Sequence, residues 1–166
     1  MLPRKWRLDG SAKLARLCKK SACPSGVPEP EAFELRVDHT TGEFEPEVSV
    51  HWLNFFTPHT ELRERLAALC TLIEARYVDD EVKLDRKRSR FVVVDVGKLQ
   101  REVQHVDEVN ASARSYHTPR FCGDSHSSIF PRPAVDKWPK DRDAYHFALK
   151  KLLADCCEPA VHTPTF

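Results

Sequence analysis

Apolar and polar positions alternate over Ala32-Phe33-Glu34-Leu35-Arg36-Val37-Asp38, which predicts a half-buried strand, and His39-Thr40-Thr41-Gly42 supplies turn chemistry after it. Alternation resumes over Val48-Ser49-Val50-His51-Trp52, a second strand or hairpin partner, while Leu53-Asn54-Phe55-Phe56 suits either a strand or a short helical turn. The period then changes. Thr57 can cap a helix, Pro58 suits its first turn, and Glu61 complements its dipole. Leu62, Leu66, Leu69 and Ile73 come next as one apolar stripe, predicting a helix to about Tyr77. Phe91-Val92-Val93-Val94-Asp95-Val96 is continuous and β-branched, as a central buried strand would be. Gly97 ends it, and Leu99, Val103 and Val106 predict a helix at once. Tyr116 to Pro139 carries four prolines and little periodicity, which reads as mostly loop. Asp141 then caps a last helix with Tyr145, Leu149, Leu152 and Cys156 on one face.

This order of elements predicts an α/β or α+β fold: a single compact domain with a small mixed sheet flanked by about three helices. Upstream, Leu14-Ala15-Leu17-Cys18 could start a short helix, and Pro24, Pro28 and Pro30 punctuate the stretch after it. Residues 1–31 therefore read as a basic N-terminal arm and Pro-rich linker, and 32–166 as the domain. At 166 residues the chain is long enough to bury a core without staples.

Charge refines the picture locally. The formal net charge is +1, which gives no global drive towards nucleic acid or an anionic membrane. Residues 1–24 nevertheless hold seven basic side chains against Asp9 alone, and residues 25–50 seven acids against Arg36 alone. Such blocks can neutralise each other or meet a partner. No apolar run approaches the ~20 residues of a membrane span, and the basic start lacks a signal-peptide core. A cytoplasmic protein with no membrane partner is expected, so Cys18, Cys23, Cys70, Cys122, Cys156 and Cys157 should be reduced thiols. Five glycines against twelve prolines argue against a glycine-rich nucleotide-binding architecture, and no cofactor is implied.

The chemically densest stretch runs from Tyr116 to Ser128. A catalytic version would use His126 as base, oriented by Asp124 and supported by His117 or His51, with a serine or Cys122 as nucleophile. The same residue types also build ordinary turns. Cys122, His126 and Cys156 could be gathered around a metal only by the fold; the spacings of structural zinc sites are missing, and no metal is expected. Lys83, Arg86, Lys87, Arg88 and Arg90 form a basic turn that could track a phosphate backbone. Trp6, Trp52 and Trp138 are the residue type that anchors interfaces, so a protein partner is expected and nucleic acid is a second possibility.

Two resemblances bear on function. His39-Thr40-Thr41 and His126-Ser127-Ser128 resemble the paired triplets of two-histidine phosphoesterases, which implies two histidines acting on a phosphodiester, although the first runs straight into Gly42 as a turn would. Ala32 to Arg36, Val48 to Leu53, Phe91 to Gly97 and Asp124 to Ile129 together resemble a group of small uncharacterised bacterial proteins, which carries no activity with it. The leading expectation is an accessory, interaction protein of a bacterial multi-component system with no assembled catalytic site. The alternative is a small hydrolase, such as a phosphodiesterase, centred on His126. A nucleic-acid-binding accessory protein is the third.

Overall fold

The fold is α+β, with an antiparallel sheet of seven strands and three helices among the residues that the computed structural model describes, 6–77, 84–106, 109–138 and 142–165. The strands are β1 (Trp6–Arg7), β2 (Lys13–Lys19), β3 (Val48–Trp52), β4 (Ser89–Asp95), β5 (Gln104–Val106), β6 (Val109–His117) and β7 (His126–Arg132). The helices are α1 (Leu62–Arg76), α2 (Val96–Arg101) and α3 (Arg142–Asp155). The sheet order is β1-β6-β7-β3-β2-β4, and β5 adds to β6. Every pairing is antiparallel, so the expected mixed sheet is corrected.

Side-chain alternation divides the interior into two layers. Ala15, Phe91 and Val93 point to α1 and pack with Leu66, Leu69 and Ile73. Leu14, Val92, Val94, Val50 and Ile129 point the other way, to Leu149, Leu152 and Leu153 of α3 and to Phe33. Both faces of β4 are thus covered, which is why its sequence is continuously apolar. It lies at one end of the sheet, not at the centre. Its outer edge is covered by the C-terminal segment, which bridges Val94 to Cys157 and Phe91 to His162.

The stripes of α1 and α3 are buried as their spacing requires. The α1 helix begins at Leu62, later than Pro58, because residues 56–60 are spent leaving the 3-10 turn Leu53–Phe55 and Arg65 finds its first acceptor in the Glu61 carbonyl. Asp141 lies outside the described residues. Four other expectations are overturned. Residues 6–31 are no appended arm, and 1–5 lie outside the described residues: β2 pairs along seven residues of β4, and Leu14 and Ala15 are fully buried. The segment 32–38 is no strand; Pro30–Phe33 forms a 3-10 turn, and the Leu35 N–H donates to His146 Nε2. The helix after Gly97 stops at Arg101, where Glu102 turns extended, and Val106 belongs to β5. Residues 116–139, expected as loop, contain the end of β6 and all of β7.

No helix among the described residues is long and apolar enough to cross a membrane.

Candidate active site

The site forms where the sheet parts. β2 and β3 pair only at Leu14–Trp52 and Ala15–His51. Beyond that point the Ser49 carbonyl, which continued pairing would direct to β2, accepts instead from the Arg16 guanidinium at 2.7 Å. The gap is a cleft of about 460 Å³, lined from β2 by Arg16 and Lys19, from β3 by His51, from the residue after α1 by Tyr77, and from the loop and start of β7 by Arg120 and His126. That volume is in the range of small-molecule sites. Arg36, Glu31 and Glu34 complete its polar wall. Four cationic side chains therefore face two carboxylates, and Glu34 already pairs with Lys150 at 3.8 Å.

His51 and His126 are opposite residues on β3 and β7, so the register alone puts both rings on the same face. Their centroids are 6.0 Å apart and their planes perpendicular. The Nδ1–H of His126 donates to the Thr118 carbonyl at 2.8 Å, which leaves Nε2 as the lone-pair nitrogen; that atom is buried with no hydrogen-bond partner among the described residues. His51 Nδ1 lies 2.9 Å from the Ser125 hydroxyl, and the ring edge meets Tyr77. Burial first, and the neighbouring His126 second, drive His51 down to about 3. Burial likewise lowers His126, against the opposing effect of its bond to Thr118. Both imidazoles are therefore neutral at physiological pH, and on His126 the lone pair sits on Nε2.

The loop between β6 and β7 is built around Asp124. Gly123, at φ 80°, makes the turn that a side chain would resist, and Asp124 goes inward, fully buried. Its carboxylate accepts from the Tyr77 hydroxyl at 2.7 Å, the Arg120 N–H at 2.9 Å and the His126 N–H at 3.0 Å. This corrects one expectation: Asp124 holds the backbone on either side of the loop, and the His126 ring is oriented by Thr118.

His51, Asp124 and His126 come together; His117 does not join them. It points to the opposite face of the sheet, near the Ser127 hydroxyl, and packs 4.4 Å from Trp6 and 5.3 Å from Trp52. His39 sits in an exposed turn outside the cleft, so the two H-x-[ST] triplets do not converge. Ser125 is fully buried and serves His51 rather than the cleft wall. Cys122 is exposed on the loop while Cys156 is buried against β4, so the two do not gather with His126. Trp138 is a core residue: it is buried beside Tyr145, with its indole N–H donated to Pro133. Trp6 is nearly half exposed and stands edge-on to Trp52.

In the basic turn, Arg86 pairs with Glu74 at 2.9 Å and Arg88 with Asp85 at 4.0 Å, while Arg90 donates to backbone carbonyls; none of these lines the cleft. Lys83 lies outside the described residues. Sequence reasoning passes over Arg16, Thr118 and Arg120. The one available signal is an arginine amid the apolar residues Leu14, Ala15 and Leu17, an odd place for a charge unless it does something there. Set against known proteins, the chain matches no family model, no curated protein and no solved structure.

Proposed function

We propose that the protein is a small hydrolase working in the cleft between β2 and β3, with His126 and His51 as its proton-transfer groups. The observation that carries this reading is the pair of neutral imidazoles held side by side on the wall of a cation-lined cleft, one of them with an unpartnered Nε2. In the proposed step a water carried in beside the rings with the substrate is deprotonated by His126 Nε2, an atom closed to solvent in this structure, as the water oxygen bonds to the electrophilic centre of an ester. The ester bond breaks, and the leaving oxygen takes a proton from His51. An anionic substrate favours that proton on His51, because a neighbouring negative charge offsets the burial that otherwise keeps the ring neutral. The second proton then moves between the rings and solvent, and the site is reset.

The test is turnover of a panel of nitrophenyl carboxylic esters, phosphomonoesters and phosphodiesters by wild type and by His126→Gln. Turnover of one class is expected, with the variant at least about a hundredfold slower and its melting temperature within a degree or two. Turnover that survives His126→Gln, or loss that only tracks unfolding, overturns the assignment.

A second reading, an accessory protein that docks a protein partner, is favoured by Trp6, which stands exposed at the end of the sheet against Trp52 and His117. Absence of turnover across the panel, with a co-purifying partner released by Trp6→Ala, would decide for it.

A further inference from the structure

Arg16 has only neutral hydrogen-bond partners among the described residues. Its Nη1 donates to the Ser49 carbonyl at 2.7 Å and its Nε to the Ala32 carbonyl at 3.4 Å. Among the described residues no carboxylate lies within ion-pair distance of it. Burial first and the like charge of Arg36 second hold it down at about 10, against the opposing pull of Cys18 and Glu45, so it stays charged at neutral pH. Arg16 is half-buried on the cleft wall, and a partly desolvated guanidinium with a second cation near it favours an anion that joins the two. Lys19 and Arg36 line the same cleft and raise the demand.

We infer that the cleft seats a phosphate group of the substrate on Arg16, with Arg36 and Lys19 as further donors, so that the substrates are phosphorylated small molecules. The choice of anion comes from shape and charge. The guanidinium fork matches two oxygens of a phosphate, and a tetrahedral group keeps others for Arg36 and Lys19, which a planar carboxylate does not. The cleft volume leaves room for the rest of a small molecule beside His51 and His126. The inference rests on the hydrolase reading for what happens at those rings, but the anion seat can be measured without turnover.

The experiment titrates inorganic phosphate, and acetate in parallel, into the full chain by calorimetry. Wild type should bind phosphate, Arg88→Ala, an exposed arginine outside the cleft, should bind it within about twofold, and Arg16→Lys should weaken it about tenfold or more, since a lysine keeps the charge and loses the fork. Arg16 also supports two carbonyls, so Arg36→Ala, an exposed position, provides a variant that leaves the fold alone; it should weaken phosphate about fivefold. No binding at about 10 mM phosphate, binding indifferent to both arginines, or acetate binding as tightly as phosphate overturns the inference. Phosphate binding through Arg16 with no ester turned over upholds the anion seat and removes the hydrolase. Turnover dependent on His126 without phosphate binding does the reverse.

Discussion

Asp124 shows how much one side chain can organise. A carboxylate with no exposure is tolerable only because three donors converge on it, one each from the Tyr77 hydroxyl and the backbone of Arg120 and His126. Through them it ties the end of α1 to the loop that delivers His126, and so sets the depth of that ring without touching it. Asp124→Ala strands all three donors. The expected loss is about 3 kcal/mol or more, read as a lowered urea midpoint, whereas removal of an ordinary surface aspartate changes little. In the sequence, Asp124 stands two residues from His126, and that proximity suggests a side-chain pair. Adjacency along a chain does not say which atoms meet, and here the bond goes to the backbone.

Among the elements, legibility tracks hydrophobic contrast. The stripe of α1 and the apolar run of β4 identify themselves, because each buries aliphatic surface with a clear period. β6 and β7 do not. The buried face of β6 is Ala111, Ala113, Ser115 and His117, and β7 buries three consecutive polar residues, His126, Ser127 and Ser128. Their polarity is tolerated because strand ladders and hydroxyl bonds such as Thr118 to Ser128 satisfy it, and that depends on which neighbours arrive. The α1 layer lends itself to a direct test. Leu66 is fully buried between α1 and the sheet, so Leu66→Ala should cost about 2–5 kcal/mol in denaturant unfolding, the cost of truncating a packed leucine. Because Tyr77 stands at the end of α1, the same variant should loosen the cleft wall.

For the whole molecule, the buried histidines set how stability depends on pH. His51, His117, His126, His146 and His162 are all held below the ordinary imidazole value, chiefly by burial. The unfolded chain therefore takes up protons first as pH falls. This contribution is complete above the unfolded value of about 6.5 and is lost progressively below it, for His51 down to about 3. Urea midpoints measured from pH 7 to pH 4 should fall steadily. His51→Gln should flatten that slope, by at most about 1.4 kcal/mol per pH unit, one proton's worth. A slope unchanged by the substitution would mean that the ring is not protected from protonation in the fold.

Length and the apolar periods of α1, α3, β3 and β4 are enough to predict a body of mixed helices and strands, α/β or α+β, and the core stripes on those elements, since burial of aliphatic surface is a local demand written directly in the residue types. The N-terminal segment looks like an arm because its basic residues mask an interior strand, and only pairing with β4 shows where Leu14 and Ala15 go. The site belongs wholly to the tertiary structure. His51 and His126 are 75 positions apart and become neighbours through the β3–β7 register, and Arg16 meets them because β2 and β3 separate. Strand order and the place where a ladder stops arise from long-range pairing, and no window of sequence contains them.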